Sequence, residues 1–471
     1  MTVIGASYNN SGLKYDKKKK EWVRVDVNKK IDDAFIRHRD KLLREVPEHT
    51  ILRDDDEFRN RLKHHIYVAG FPASAFTLMN VCKAAHIPFA PLVSNDDGRL
   101  ICDEFNRIYN PQTRFNTKIA FVHEGEPDEW KMSGTLGKGH EAWMREFPEL
   151  DPHTLLYLLN GDTPLLTRLD DTVTDPDLEK YKAIMEFNCR ETIFGVDFEQ
   201  HEDCGWWHRR YHAIDTVRRL FYKEGNGIMI DYPVARLFLD PGYEARKSSE
   251  KNNEKVVKQL VNDLMIKDGG WKKGLRLLIK HFGTLLSVGA RHTLKNYIVP
   301  ETIRERHIFK HRIPFETWED FAGFVMKGPV KIKPHSDVTK LIDIDSYEDW
   351  DMVCGLFELA EKFGYKKSDV YPYWDELQEF APAVPSLIER GVKMADLNHI
   401  RYLFSLHPNL DGKFPYDEKG NYKSKIWSEE QIRKGIEHLA RMNAEYRARK
   451  EAAVSEKKAI PIGLGLVGIK S

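Results

Sequence analysis

The sequence predicts an α/β protein: a mostly parallel sheet with a basic helical insertion and a helical C-terminal region. Strands separated by helices favour parallel pairing with right-handed crossovers. From about residue 178 to residue 314 the pattern is mostly helical, and strand-like sequence returns at 330–333 and 340–344. Four short apolar segments alternate with helix-like segments in the first half of the chain, at residues 66–70, 88–93, 118–123 and 154–159.

The C-terminal region is predicted to consist of helices. One begins with an acidic first turn at 346–363, and another spans 428–453 with Ser428 as its N-cap. Because the apolar positions of the second helix recur at helical spacing, we expect it to dock on the same chain. These positions are Ile432, Ile436, Leu439, Met442 and Tyr446.

At 471 residues the chain is long enough for about two or three domains. Residues 1–30 are polar and indicate a loosely docked leader, and residues 31–63 look helical. The predicted organisation is a leader and helix at 1–63, a first core part at 64–190, a basic, mostly helical insertion at 191–328, a second core part at 329–365 and a helical region at 366–471.

Composition narrows the class of protein. No apolar stretch approaches the roughly 18–20 residues of a membrane helix, and no signal-peptide pattern opens the chain. Five cysteines without a CxxC pair indicate reduced thiols, so we expect a cytoplasmic protein without a membrane partner. The 73 basic and 73 acidic residues give zero formal charge, which argues against a uniformly basic nucleic-acid-binding protein.

The strand predicted at 154–159 ends in Asn160-Gly161-Asp162-Thr163-Pro164. Open α/β sheets bind ligands beyond the carboxyl ends of their parallel strands. Gly161 allows a ligand to approach the backbone, and Asp162 offers a hard oxygen ligand that suits Mg²⁺ bridged by substrate phosphates. The alternative is an ordinary exit from a strand into a turn.

Two further segments belong with this one. Upstream, Gly137-Lys138-Gly139-His140 is predicted to be a glycine-rich loop at the start of a helix, where backbone amides would face a base or a phosphate. Downstream, the apolar segment 340–344 runs into Asp345 and then into a helix. Two carboxylates on neighbouring strand ends would form a site for a metal-bound nucleotide phosphate.

Together the three segments resemble motifs of the nucleotide-diphosphate-sugar pyrophosphorylases and related nucleotidyltransferases, whose GT-A fold many glycosyltransferases share. Residues 137–140 resemble their Gly-x-Gly-His-Ala loop, with Glu141 inserted before Ala142. Residues 160–165 resemble their Asn/Tyr-Gly-Asp-x-Pro-Leu motif, and residues 343–349 resemble their Asp-x-Asp-Thr-Pro-Glu-Asp motif. The resemblance covers residues 64–170 and 335–365.

The resemblance implies that Asp162 and Asp345 are the catalytic, Mg²⁺-binding carboxylates and that residues 137–140 lie against the base of a nucleotide or nucleotide sugar. The family opens with a glycine-rich loop that carries an Arg and then a Lys, which hold the triphosphate. Of residues 69–76 only Gly70 matches this loop, as a candidate nucleotide-binding glycine, and the first cation that could hold phosphate is Lys83. Glycosyl transfer keeps the metal without needing that loop, so both reactions stay open.

A strongly basic stretch lies within the neutral chain. Residues 246–312 contain 16 Lys or Arg and 6 Asp or Glu, a formal charge of +10, with interleaved aromatic residues. Basic and aromatic side chains can track a phosphate backbone and stack on bases, so this stretch is a candidate nucleic-acid interface. Lys272, Lys273 and Arg276 would alternatively fold over the active site and hold phosphate. A solvated helical face is the third interpretation.

A histidine–cysteine cluster offers residue types that bind zinc, but its spacing fits no zinc motif and favours an ordinary loop-to-helix junction. Its members are His201, Cys204, His208 and His212.

The preferred hypothesis is an Mg²⁺-dependent nucleotidyl- or glycosyltransferase, with a polyanionic acceptor such as modified DNA at the basic stretch. The alternative is a catalytically inactive relative that binds nucleic acid or acts as a scaffold. A third hypothesis is a purely structural viral or assembly protein in which the motifs are coincidental.

Overall fold

The computed structural model describes residues 1–5, 13–16, 21–24, 67–84, 86–125, 132–169, 180–189, 213–215, 220–236, 239, 270–293, 313–335, 338–342, 344, 347–390 and 427–459. The predictions for residues 31–63 and for the cluster at 201–212 lie outside these ranges. Within them, the predicted α/β class is confirmed, because five of the eight strand pairs in a nine-stranded sheet are parallel.

The described strands are β1 (Thr2–Gly5), β2 (Leu13–Asp16), β3 (Glu21–Arg24), β4 (Tyr67–Val68), β5 (Phe71–Pro72), β6 (Phe89–Ser94), β7 (Lys118–His123), β8 (Leu156–Asn160), β9 (Ala183–Cys189), β10 (Ala213–Asp215), β11 (Leu220–Ile230), β12 (Ile313–Pro314) and β13 (Val330–His335). The described α-helices are α1 (Ala73–Lys83), α2 (Asp96–Tyr109), α3 (Pro111–Phe115), α4 (Met132–Glu146), α5 (Trp271–Lys280), α6 (Phe282–Thr293), α7 (Phe315–Val325), α8 (Tyr347–Glu358), α9 (Lys367–Val370), α10 (Trp374–Gln378), α11 (Ala383–Glu389) and α12 (Glu429–Ala459).

The centre of the sheet is β1. The spatial order is β12-β10-β11-β8-β1-β6-β7, and β1 pairs in parallel with both β8 and β6. The prediction of a loosely docked leader is therefore wrong for Thr2–Gly5. Only Val3 and Ile4 are apolar in this short strand, so the strand does not stand out from the polar sequence around it. The predicted domain boundaries stay predictions.

The segment predicted as the first strand, residues 66–70, is not part of the main sheet. Instead β4 pairs with β5 in a two-residue hairpin. Its central residues, Ala69 and Gly70, have φ angles of 49° and 90°, as a type I′ turn requires. Gly70 therefore serves a tight turn between two short strands.

Most of the other predicted strands are confirmed, as β6, β7, β8 and β13. The prediction at 340–344 is wrong, because Val338–Leu341 forms a 3₁₀ turn. The mostly helical pattern expected at 178–314 is also wrong where β9, β10 and β11 occur. Strand β11 changes register between Glu224 and Ile228, which interrupts the alternation that marks a strand. It runs antiparallel to β8 and covers the edge of that strand.

The central parallel strands, β1, β6 and β8, are buried on both faces. In β8, Tyr157 and Leu159 belong to one hydrophobic cluster, whereas Leu156 and Leu158 belong to another. This alternation places the helices α1, α8 and α12 on one face and α4 on the other. None of the helices that the structure describes has the length and apolarity of a membrane span.

The predicted C-terminal helix is confirmed as α12. The Ser428 hydroxyl accepts a hydrogen bond from the Gln431 amide at 3.2 Å, and the Gln431 side chain accepts one from the Ser428 amide at 2.9 Å. The helix packs on α8 and α9. Its predicted stripe is buried, which confirms that the helix docks on its own chain: Ile432, Ile436, Leu439, Met442 and Tyr446.

On the other face, α4 packs closely on β1. A Cβ atom added at Gly139 would lie 2.5 Å from both methyl carbons of Val3. Real contacts of this kind are much longer, so only glycine allows the helix to lie at this distance from the central strand.

We expect Gly139→Ala to lower the free energy of unfolding by about 1–3 kcal/mol, because α4 must move away from Val3. The matched control is Gly283→Ala in α6, where an added Cβ meets nothing within 4 Å. The control should be neutral or stabilising by up to about 1 kcal/mol. Urea unfolding of both variants measures this, and equal losses would contradict the close packing of α4 on β1.

Candidate functional site

The carboxyl end of β8 continues into a buried turn, residues 160–164, which we call the β8 turn. The Thr163 hydroxyl donates a hydrogen bond to the Asn160 carbonyl at 2.7 Å, and the Leu166 amide donates to the Thr163 carbonyl at 3.2 Å. Asp162 and Thr163 are both buried, with Asp162 only 1% exposed. The hydroxyl of Thr163 thus helps to close the turn.

Two other parts of the chain fasten the β8 turn. From α1, Thr77 donates to the Gly161 carbonyl and Asn80 donates to the Pro164 carbonyl, each at 3.3 Å. From downstream, the Ile344 amide donates to the Asp162 carbonyl at 3.1 Å. All five carbonyls of the turn therefore accept a hydrogen bond, which fixes the backbone of Asp162 in the sheet edge.

The bond from Ile344 brings together the two acidic segments that the sequence pairs, because Ile344 directly precedes Asp345. Ile342 and Ile344 are buried in the main hydrophobic cluster. Asp345 itself lies outside the described residues, so the proximity of its carboxylate to that of Asp162 stays a prediction.

A buried ion pair anchors the segment that leads to Ile344. The Lys340 ammonium lies 2.7 Å from the Glu186 carboxylate on β9, and both side chains are 1% exposed. Gly227 on the neighbouring strand β11 makes room for this carboxylate, because an added Cβ would overlap Glu186 Oε2. The acidic segment is thereby tied to the sheet as well as to the β8 turn.

The β8 turn lies where the strand order reverses. From β1 the chain proceeds to β6 and β7 on one side, and it returns to β8 on the other side. Gly5, the last residue of β1, pairs with Asn160, the last residue of β8. Such a switch point, at the carboxyl ends of parallel strands, is where open α/β sheets bind ligands.

A second group of polar residues continues along the same edge. Glu124, which follows β7, donates its amide to the Ser94 carbonyl at the end of β6 at 2.8 Å. From α4, Thr135 donates to Glu124 Oε1 at 3.4 Å, and Lys138 donates to the Glu124 carbonyl at 2.6 Å. Within the described ranges, the buried Glu124 Oε2 and Ser94 Oγ have no hydrogen-bond partner.

Burial raises the pKa of Glu124 from 4.5 to about 7, against the smaller lowering effects of Thr135 and Lys138. A carboxyl group with this pKa exchanges its proton near neutral pH. When ionised it can accept hydrogen bonds from the amino group of a base, and when protonated it can donate one.

The segment 137–140 lies inside α4, so the prediction that it forms a loop is wrong. Its glycines allow close packing, since a Cβ on Gly137 would overlap the Tyr232 hydroxyl and one on Gly139 would press on Val3. His140 Nε2 lies 2.9 Å from the Pro152 carbonyl. In this segment it is Lys138 that reaches the strand ends, and contact of the segment with a base stays a prediction.

The other predicted phosphate-binding residues lie elsewhere. Lys83 pairs with Glu376, and its ammonium lies 5.2 Å from the ring of Phe115. Because Phe115 precedes the first residue of β7, Lys83 lies toward the amino-terminal edge of the sheet, opposite the β8 turn. Lys272, Lys273 and Arg276 are exposed on α5, which packs against α7. No described contact joins these four cations to the β8 turn, and nucleic-acid binding by residues 246–312 stays a prediction.

Within the part of the chain that the structure describes, no three His, Cys, Asp or Glu side chains are grouped to hold a metal ion. Mg²⁺ needs fewer protein ligands, because it is commonly bound by one or two carboxylates together with substrate phosphates and water. Cys82, Cys102 and Cys354 are free and buried, as the prediction of reduced thiols requires.

Sequence reasoning missed three positions at this edge: Gly5, Ser94 and Glu124. The signal for Glu124 was present, since it follows the correctly predicted strand at 118–123 as directly as Asp162 follows β8. Gly5 was missed because its strand was missed. Ser94 carries no pattern of its own and is recognised only from its position at the end of β6.

No protein-family model and no curated protein matches the sequence. Among solved structures, a hypothetical transferase from Thermus thermophilus is similar over 63% of this chain and 93% of its own, with 13% identity and a TM-score of 0.33. The 4-diphosphocytidyl-2C-methyl-D-erythritol synthase of Anaerococcus prevotii is similar over 62% of this chain and 91% of its own, with 13% identity and a TM-score of 0.29.

The raised pKa of Glu124 predicts that the stability it contributes decreases as the pH rises. The Glu124 carboxyl binds its proton more tightly in the folded protein than in the unfolded chain. Its contribution to the free energy of unfolding is therefore fully present below pH 4.5 and is lost as the pH rises through about 7. The free energy of unfolding of the wild type minus that of Glu124→Gln should therefore fall by about 3 kcal/mol across this window. Urea unfolding at several pH values measures it, with exposed Glu149→Gln as the control. A flat difference for Glu124→Gln would contradict the buried, protonated carboxyl.

The ion pair of Lys340 predicts a second loss of stability. Lys340→Met leaves the buried Glu186 carboxylate without this cation and should cost about 3–5 kcal/mol. The double variant Lys340→Met/Glu186→Leu should recover most of the loss, because both buried charges are then absent. Denaturant unfolding checks this, and a double variant as unstable as the single one would show that the pair does not act as a unit.

Proposed function

We propose that this chain is an Mg²⁺-dependent nucleotidyltransferase that binds a nucleoside triphosphate at the carboxyl ends of β1, β6 and β8. The observation that carries the proposal is the hydrogen bond from Ile344 to the Asp162 carbonyl. It joins the two acidic segments at the switch point of the sheet. A ligand there would lie between the β8 turn on one side and Glu124 on the other.

Asp162 and Asp345 would hold the metal ion. Asp162 fits this role in its chemistry and its place, as a carboxylate fixed at a strand end by the hydrogen-bonded β8 turn. Mg²⁺, when bound, neutralises charge on the phosphate oxygens of the substrate. The protein would contribute a fixed carboxylate geometry and a partly buried edge in which electrostatic interactions are stronger than in water.

The position of β1 favours nucleotidyl transfer over glycosyl transfer. In the family that the sequence resembles, the triphosphate-binding loop directly follows the first strand of the sheet. In this chain the first strand of the sheet is β1, not residues 66–70. The sequence after Gly5 contains Gly12, Lys14 and the run Lys17–Lys20. It thus supplies the glycine and the cations that the sequence after Gly70 lacks. A pyrophosphate leaving group requires such cations.

Glu124 and Ser94 would contact the base. They lie on the β6 and β7 side of the switch point, away from the acidic segments, and each has a buried oxygen with no partner among the described residues. Unpaired buried polar groups cost about 1–3 kcal/mol each, a cost that a hydrogen-bonding ligand would remove. Recognition of a base edge by these groups would select among nucleotides.

Asp162→Asn should weaken Mg²⁺-dependent binding of a nucleoside triphosphate at least about tenfold, the lower end of the loss seen when even an outer-shell partner of a metal is removed. Isothermal titration with each of the four common ribonucleoside triphosphates, with Mg²⁺ and with EDTA, measures this. The matched control is Asp151→Asn, an exposed aspartate before β8 at the opposite edge of the sheet.

Circular dichroism establishes that both variants are folded. Binding that survives Asp162→Asn unchanged, or that is the same in EDTA, would overturn the metal assignment. If none of the four nucleotides binds the wild type in the presence of Mg²⁺, the proposed function itself is wrong.

A further inference from the structure

The described surface has one concentration of exposed large apolar side chains, and it lies entirely in the helical pair α5–α6. Ile279 is 68% exposed, Phe282 is 63% exposed and Leu286 is 60% exposed. We call this surface the α5–α6 patch. Its members are Trp271, Leu275, Leu278, Ile279, Phe282 and Leu286.

The patch is not the side by which α5 packs on the protein. Helix α5 packs on α7. Gly274 is buried, and Leu277 is half-buried; with Lys280, they lie at helical spacing on the side of α5 that faces α7. Trp271, Leu275 and Leu278 follow one another at helical spacing on the other side, with Ile279 beside them. Helix α5 therefore has one apolar side that faces the protein and a second that faces solvent.

Polar contacts hold the patch in this orientation. At the junction of α5 and α6, His281 is buried against α7, with Nε2 2.7 Å from Asp320 and Nδ1 3.0 Å from the Thr317 hydroxyl. The Lys280 ammonium lies 2.7 Å from Glu316 and 2.6 Å from Asp320. The junction is thus attached to α7 by its polar side while its apolar side stays outward.

Two cations, Lys272 and Arg276, border the patch on α5, whereas Lys273 lies on the opposite side of the helix, at helical spacing from Leu277 and Lys280. All three are exposed and form no ion pair among the described residues. A helix with aliphatic and aromatic residues on one side and Lys or Arg along its flank is typical of segments that lie in the interface of an anionic membrane. The apolar residues enter the acyl boundary, and the cations meet the lipid phosphates.

We propose that the α5–α6 patch binds the surface of an anionic lipid membrane. Nucleic acid would satisfy the cations but leave Leu275, Ile279 and Leu286 in water, because these side chains neither stack on bases nor form hydrogen bonds. A protein partner would also cover the apolar residues, so the sedimentation experiment below separates a second copy of the chain from a membrane. This is attachment by a surface rather than by a spanning helix, so the lack of a long apolar segment in the sequence does not oppose it.

The test is co-sedimentation of the full chain with vesicles of phosphatidylcholine, with and without phosphatidylglycerol. We expect binding only to the vesicles with phosphatidylglycerol. The double variant Lys272→Gln/Arg276→Gln should weaken it about fivefold per cation. The double variant Ile279→Ser/Phe282→Ser should weaken it at least about tenfold, because the inserted apolar area is lost.

The matched control removes two exposed cations elsewhere, Arg145→Gln/Lys434→Gln, and should bind as the wild type does. Lack of binding to anionic vesicles, or equal weakening by the control, would overturn the proposal. So would vesicle binding that is unchanged by Ile279→Ser/Phe282→Ser. Binding of single-stranded DNA or RNA in place of vesicles would assign the patch to nucleic acid. A dimer in sedimentation velocity that the serine variant dissociates would assign it to a second copy of the chain.

Discussion

The hydrogen bond from the Ile344 amide to the Asp162 carbonyl is the contact on which the candidate site depends. It closes a very long loop between two acidic segments, and the entropy of such closure grows slowly, by about 0.6 kcal/mol for each doubling of loop length. A large insertion can therefore occur between the segments without separating them. The burial of Ile342 and Ile344 and the Lys340–Glu186 pair hold the downstream segment in place.

The two edges of the sheet differ in how their buried charges are satisfied. At the amino-terminal edge of β8, the buried Asp231 lies 2.7 Å from Lys182 and 3.0 Å from His153. Such pairing connects the loops at this edge and leaves the Asp231 carboxylate few free positions for hydrogen bonds to a ligand. At the carboxyl edge, Glu124 keeps an oxygen without a described partner and has its pKa raised by burial. Buried groups of this kind are costly and are characteristic of binding sites.

Elements with strong periodic patterns were predictable from the sequence, whereas those set by tertiary contacts were not. Strands β6, β7 and β8 are continuous apolar runs, and α12 carries a long apolar stripe with its cap. Strand β1 has four residues and owes its central place to pairing with β6 and β8. Asp162 was predictable because it directly follows a recognisable strand, but its link to Ile344 depends on the packing of the whole core.

The glycines of α4 show how packing and the candidate site are connected. As a sequence motif they predicted a loop, since glycine weakens a helix by roughly 1 kcal/mol per residue. In the fold, Gly139 instead lets α4 lie against Val3 of β1, and the same helix carries Thr135 and Lys138 to Glu124. Strand β1 ends at Gly5, opposite Asn160. The packing of α4 on β1 therefore holds Thr135 and Lys138 against Glu124, so a change at Gly139 would disturb the hydrogen bonds of Glu124 without replacing a residue that makes them.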